Sequence, residues 1–323
     1  MKKITLNNAL DEAYLEEMQR CEDVILFGED VQTGCGATSH PILNQNFGDD
    51  RLIPMPITEQ LICNSAVGMA LAGMRPIAEL GFEDFLSLGF DALVNQAAKV
   101  RFWSHGKVKC PLVVVTTGGV GAGCGCNHSQ KAEGWFSNVP GLKILCPTTA
   151  ADTKGMMKAA IRDDDPVLFL VNRSLQYVED EITEGEYVVE LGKARIAREG
   201  SDVTVVCWHR PYVYTMELAE ELAAEGISLE VVDPRSMCPF DKKTIIESVK
   251  KTGRLVVTHE APYKFGPCAE IITSVVEEAM DSLKAAPVRA CTPMTAIPSL
   301  SPEMKTVVTK EQIKAAILKV MGR

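Results

Sequence analysis

The chain alternates between short, almost continuously apolar runs and longer segments in which apolar residues recur at helical spacing. After an opening helix over about Leu6 to Gln19, the run DVILFGED is apolar and then turns acidic, the pattern of a strand buried on both faces of a parallel sheet. Similar strands are predicted at PIAEL, PLVVVTT, LKILCP and PVLFLV, with helices at Glu59 to Ala72, Asp84 to Phe102, Ser129 to Phe136 and Thr149 to Arg162. Strands alternating with helices predict an α/β domain on a largely parallel sheet, whose ligands sit at the carboxyl ends of the strands. The informative loops are then GED, ELGFEDF and TTGGVGAGCGCNHSQ.

Acidic residues interrupt this pattern in QYVEDEITEGEYVVELGKA, which reads as a linker. Beyond it, DVTVVCW, SLEVVDP, RLVVTHE and APVRACT are predicted strands, separated by helices at Val213 to Glu225, Lys242 to Lys251 and Cys268 to Leu283. The expected fold class is α/β, with two α/β domains: residues 1–185 on a parallel sheet and a smaller unit over 186–323. The second domain shows no catalytic cluster and is assigned to assembly and partner binding.

A length of 323 residues, 46% of them hydrophobic, is enough for two cores. The net charge of −10 argues against nucleic acid and anionic membranes as partners and favours small molecules or proteins. The N-terminal MKKITLNNALDEAYLEEM lacks the apolar core of a signal peptide, and no run approaches the ~20 apolar residues of a membrane span, so a cytoplasmic location is expected. Eleven cysteines, odd in number and scattered through apolar runs, read as reduced thiols. Cys124 and Cys126 form a C-x-C pair that can ligate a metal, but no second Cys/His pair with finger-like spacing supports one.

Three places carry candidate chemistry. In ITEQLICNSAVGMALAGMRP, Glu59 stands at the mouth of a helix too small and apolar for a solvent face, so the helix is expected to pack closely and partly bury the carboxylate. The alternative is an ordinary first-turn acid facing its own helix N-terminus. GGVGAGCGCNHSQ lets a backbone approach a ligand and leads to His128 at a predicted helix start; it is neither a P-loop nor a Rossmann fingerprint. His128 is either a general acid/base or a loop histidine bonded to backbone. The turn AAIRDDDP is either a solvated turn or a cation site built from helix-end carbonyls and a carboxylate. Phe82 and Phe85 read as core on spacing alone.

Together VILFGEDV, IPMPITEQ, GMALAGMRPIAEL, DALVNQAAKVR, NHSQ, PGLKILCPTTAADTKGMMKAAIRDDDPV and GKARIAREGSDVTVV resemble the β subunit of the E1 component of 2-oxo acid dehydrogenase complexes, over nearly the whole chain. The resemblance implies a pyrimidine-binding domain over 1–185 and a transketolase C-terminal-like domain over 186–323. It implies thiamine diphosphate shared with an α subunit, Glu59 hydrogen-bonding the aminopyrimidine N1′, Phe85 stacked on that ring and Ile57 beside it. A partly buried carboxyl suits a proton shared with such a ring. His128 matches an active-site histidine that faces the substrate, and Leu112, Ala160, Ile161, Asp163 and Asp165 match the ligands of a structural potassium ion, mostly through carbonyls.

The diphosphate- and Mg2+-anchoring GDG motif of thiamine enzymes is absent. The resemblance therefore implies that Mg2+ is held by an E1 α subunit in an α2β2 heterotetramer, and that the acyl group passes to a lipoyl-bearing E2. Departures fall at QTGCGATS, at Asn127 before the histidine and at VNRSLQY, where Arg173 is gained. They leave the substrate open between 2-oxo acids and acetoin. A transketolase-like carbon–carbon lyase or ligase that does not use lipoamide and a noncatalytic assembly subunit are the other readings.

Overall fold

The computed structural model of the chain describes residues 1–32, 40–300 and 302–323. They form two units, Met1–Gly118 with Trp135–Leu191, and Gly119–Gly134 with Gly192–Arg323. No helix among the described residues is long and apolar enough to cross a membrane.

The first unit comprises β1 (Lys2–Thr5), α1 (Leu6–Arg20), β2 (Val24–Glu29), α2 (Pro41–Asn46), β3 (Leu52–Met55), α3 (Glu59–Leu71), β4 (Arg75–Leu80), α4 (Ala98–Trp103) and β5 (Val113–Gly118). The short α5 (Glu133–Phe136) spans the crossing between units, and β6 (Lys143–Leu145), α6 (Ala150–Arg162), β7 (Val167–Asn172) and β8 (Glu179–Ile182) complete the first. Its six central strands are parallel in the order β6-β7-β5-β4-β2-β3. Every residue of β2, β5 and β7 is buried, as continuous apolar runs require of strands covered on both faces. Gly28 admits the backbone of Glu79 on β4 where a Cβ would collide with it.

Two expectations change here. The acidic stretch read as a linker contains β8, which pairs antiparallel with β1. The helix expected over Asp84 to Phe102 is broken into a 3₁₀ turn (Glu83–Ser87) and, after Gly89, a helix with a π segment (Ala92–Ala97) leading into α4. The break sits where Gly89 packs on the sulfur of Cys63, too close for a side chain.

Buried charge ties the layers together. On α6, Lys154 and Lys158 are buried and pair with Glu12 and Glu16 of α1, while Arg162 reaches Glu17. His40 lies between Asp11 (Nδ1 to Oδ1, 2.5 Å) and Glu79 (Nε2 to Oε2, 2.8 Å), and the Tyr14 hydroxyl donates to the other Glu79 oxygen at 2.8 Å. Burial alone would favour neutral imidazole, but the charges of Glu79 and Asp11 outweigh it and raise His40 to about 10.

The second unit holds β9 (Arg195–Arg198), β10 (Val203–Cys207), α7 (Arg210–Ala224), β11 (Leu229–Asp233), β12 (Ser236–Cys238), α8 (Lys242–Thr252), β13 (Leu255–Pro262), α9 (Pro267–Ala279), β14 (Val288–Thr292), α10 (Glu303–Thr306) and α11 (Lys310–Met321). Its sheet runs β14-β13-β10-β11-β9, parallel except for β9 at the edge. Val203, Val205, Leu229 and Val231 meet Leu218 and Leu222 of α7 and Ile313 and Ile317 of α11 in its core. Thr309 and Gln312 start α11 with a reciprocal capping box, and Gly322 ends it in the left-handed region.

Residues 119–134 are held in this unit by polar contacts. Glu260 accepts the Val120 N–H at 2.7 Å, and Arg210 donates to the Val120 carbonyl at 3.2 Å. Buried Glu133 faces Lys131 at 3.4 Å, His209 at 3.5 Å and His259 at 3.3 Å. Burial and then the Lys131 charge push His209 down to about 4.

Candidate functional site

The carboxyl ends of the first unit's strands bring two glutamates into one buried neighbourhood. Glu29 ends β2 and Glu59 begins α3, and they are 7% and 5% exposed. The Thr58 side chain makes no capping bond, so the first turn of α3 opens on the Glu59 carboxylate. Glu29 Oε2 accepts the Gly81 N–H at 3.1 Å, while Oε1 is buried with no hydrogen-bond partner among the described residues. Burial raises the proton affinity of Glu29; the Gly81 bond opposes this and the Glu59 charge adds to it, leaving the group at about 7. The same surroundings, burial first and then Glu59, push the Cys63 thiol up to about 12.

Aromatic and apolar side chains lie at the same end of the sheet. Phe82 and Phe85 meet edge to face, 6.0 Å between centroids, at the 3₁₀ turn that follows β4. The Arg173 guanidinium lies 4.5 Å from the centre of the Phe82 ring. Ile57 is 73% exposed, and Leu61, Gly68 and Leu71 continue an open stripe along α3. The interior reading of Glu59 and its helix thus divides: the carboxylate is buried, but one apolar face of α3 is uncovered. An aminopyrimidine suits this set, because a buried carboxyl and an unsatisfied carboxyl oxygen stand beside apolar and aromatic side chains. Residues 33–39, which contain most of QTGCGATS, lie outside the described residues.

His128 belongs to the second unit. The helix expected to start at Ser129 begins only at Glu133, and His128 sits on the loop, half-buried, its N–H donating to the Gly125 carbonyl at 3.2 Å. Nδ1 is 3.1 Å from Asn127 Oδ1. An amide oxygen only accepts, so as oriented Nδ1 is the donor in this contact.

The glycine loop already holds an anion, and it is the chain's own. Buried Glu303, at the start of α10, accepts the N–H groups of Gly121 at 2.9 Å, Gly123 at 2.7 Å and Gly125 at 3.4 Å, together with the Ser129 hydroxyl. Burial would raise this carboxyl, but the Ser129 and glycine donors outweigh it and hold it below its ordinary value. Gly123 and Gly125 have positive φ and lie against Leu300 and Ser299, where a side chain would not fit. Sequence reading missed Glu303 because nothing local marks a glutamate some 180 residues from its partners.

The acidic turn after α6 is crowded with cations. Asp163 pairs with Lys143 at 2.6 Å, Asp164 with Arg75 at 2.8 Å and Lys109 at 2.6 Å, and Asp165 with Arg101. Arg75 also donates to the carbonyls of Ile161 at 3.0 Å and Asp163 at 2.9 Å. The Leu112 carbonyl accepts the Val167 N–H at 2.9 Å, and the Ala160 carbonyl accepts that of Asp163 at 3.2 Å. The carboxylates are therefore neutralised by side chains, which leaves only the remaining carbonyl lone pairs for an ion.

The two units have the fold of transketolase-type domains. Residues 2–177 match the transketolase pyrimidine-binding domain and residues 192–313 the transketolase C-terminal domain. Over 332 residues the chain is 39% identical to the β subunit of acetoin:2,6-dichlorophenolindophenol oxidoreductase from Cupriavidus necator, covering 99% of this chain and 98% of that one. The Bacillus subtilis protein of the same name is 36% identical (99% and 97% covered), and the pyruvate dehydrogenase E1 component subunit beta of Acholeplasma laidlawii is 40% identical (90% and 89% covered). The chain belongs to this family of transketolase-like E1 β subunits. Its fold is also that of a solved split-gene transketolase in an inactive β4 tetramer, with a TM-score of 0.79 at 23% identity, covering 99% of this chain and 98% of the other.

Two measurements check this geometry. Carboxyl-selective NMR should find Glu29 titrating near pH 7. Glu59→Gln removes a neighbouring negative charge and should move that midpoint down toward ordinary carboxyls; an unmoved midpoint excludes the electrostatic link. Glu303→Ala strips a charged acceptor from three N–H groups and a hydroxyl, at a cost of about 2–4 kcal/mol. It should accelerate amide exchange in residues 121–129, with a smaller effect for Glu303→Gln, whereas unchanged exchange there rules out the clamp.

Proposed function

We propose that this chain is the β half of a thiamine diphosphate-dependent E1 enzyme that cleaves a 2-oxo acid or acetoin and hands the acyl group to a lipoyl-bearing E2. The observation that carries this reading is the burial of Glu59 beside Glu29 at the carboxyl end of the parallel sheet. When bound, thiamine diphosphate supplies an electron sink for breaking the bond next to the carbonyl. Glu59 would hydrogen-bond the aminopyrimidine, and the neighbouring Glu29, at about 7, can hold or release a proton near neutrality. Ile57 and Phe85 would hold the ring through apolar and aromatic contact. His128, its ring oriented by Asn127, serves proton transfer or acyl handover on the substrate side.

The reading includes an α subunit, in an α2β2 heterotetramer, that holds the diphosphate and Mg2+. Two observations support a divided site: the glycine loop's N–H groups are taken by Glu303, and Ile57, just before α3, is exposed together with Leu61 and Leu71 of that helix, a surface fit for a partner. A cytoplasmic location, in keeping with the bacterial relatives, belongs to the same reading. In the assembled enzyme Glu59→Gln should lower turnover by about 100-fold or more with the fold intact. Calorimetry should find tight binding of thiamine diphosphate with Mg2+ to the complex and none to this chain alone. Near-normal turnover of the variant overturns the role of Glu59, and binding by neither preparation overturns the thiamine reading.

Potassium is assigned to Leu112, Ala160, Ile161, Asp163 and Asp165, mostly through backbone carbonyls, of which those of Ile161 and Asp163 also accept from Arg75. At roughly ten times its dissociation constant, a bound ion adds about 1.4 kcal/mol of stability. Replacing K+ by tetramethylammonium at constant ionic strength should accordingly lower the Tm; an unchanged Tm removes the ion.

A further inference from the structure

The second unit contains a thiol pair with no part in the reading above. Cys268 is the second residue of α9, and Cys291 is the fourth residue of β14. Their sulfurs lie 3.5 Å apart, outside bonding distance but within a small side-chain movement of it. Cys268 is buried, whereas Cys291 is partly exposed and lines a cavity of about 460 Å³ with Tyr263, Val288, Arg289, Pro293 and Lys319. One sulfur therefore meets solvent and the other waits behind it.

We propose that this pair is an oxidative modification site for hydroperoxides, with Cys291 the sulfur oxidised first and Cys268 the one that closes a disulfide. Arg289 and Lys319 place positive charge at the cavity, which favours a thiolate and the departing oxygen. The hydrogen bond with Cys268 lowers the Cys291 thiol against the effect of burial, and the His259 backbone and Arg289 lower it further; burial raises Cys268 well above the ordinary range. The order of attack follows from this asymmetry.

In the first step the Cys291 thiolate attacks the peroxide, forming a sulfur–oxygen bond and breaking the oxygen–oxygen bond. The alkoxide takes a proton and leaves as the alcohol, and Cys291 becomes a sulfenic acid. Cys268 then attacks that sulfur; the sulfur–sulfur bond forms, the sulfur–oxygen bond breaks, and hydroxide leaves with the Cys268 proton as water. Two thiols and one hydroperoxide give one disulfide, one alcohol and one water. The product staples the start of α9 to β14.

The test treats the reduced full-length chain with hydrogen peroxide, alkylates what remains and maps the peptides without reduction. A Cys268–Cys291 linked pair, two hydrogens lighter than its separate peptides, is expected before Cys21 or Cys238 is oxidised. Cys291 should also alkylate about tenfold faster than Cys21 at neutral pH. In Cys268→Ser, Cys291 should accumulate as a sulfenic acid captured by dimedone, and in Cys291→Ser, Cys268 should stay reduced at the same dose. The proposal is overturned if exposed Cys126 is fully oxidised with no linked pair in the unmutated chain, or if Cys268 oxidises without Cys291.

Discussion

The structure depends first on where β2 is made to end. A strand buried over its whole length carries its last residue into the interior, and here that residue is an acid. Gly28 lets β4 pass at contact distance, so the Glu29 carboxyl has little room to turn toward solvent, and α3 delivers Glu59 into the same neighbourhood. Two buried carboxylates cannot both be ionised cheaply, and one backbone N–H is too little compensation. The physical outcome is a proton bound near neutrality at a place set by the sheet, which is the first thing proton-transfer chemistry needs.

Glu303 shows the opposite arrangement of the same side chain. It too is buried, but three glycine N–H groups and the Ser129 hydroxyl surround it, and it is held ionised. Environment alone separates an acid that keeps its proton from one that surrenders it. The ionised one acts as a brace: the positive-φ glycines give the loop freedom to turn its amides inward, and Glu303 then fixes that turn and with it the residues leading to His128.

The long apolar strands and helices such as α3 and α6 were legible because their signals are local, whereas α11 went unread despite its local capping box. The runs that become β2, β5, β7, β10, β11 and β13 each announce a strand buried on both faces, and Thr149 announces α6. What else escaped is non-local. β1 and β8 are short and polar, and they are strands only because each supplies the other's hydrogen bonds across the chain. The buried lysines of α6 look like surface residues until Glu12 and Glu16 are placed beside them. At the site, the burial of Glu59 could be read from a smooth helix, and GED flagged the loop containing Glu29. That the proton affinity of Glu29 is raised could not be read, since it requires knowing that Glu29 is buried and that Glu59 lies next to it.

The exposed stripe on α3 connects these local facts. Ile57, just before the helix whose first residue is Glu59, is exposed together with Leu61 and Leu71 of that helix, and Gly68 between them leaves room for close backbone approach. Burying those side chains against another chain contributes about 1.5–3 kcal/mol for each one fully covered. The same cover would remove water from the surroundings of Glu59 and strengthen the field between it and Glu29. A partner on this face would therefore act on proton affinity as well as on assembly, and by linkage a change in one would be a change in the other. The exposed apolar stripe is thus physically continuous with the buried acid pair.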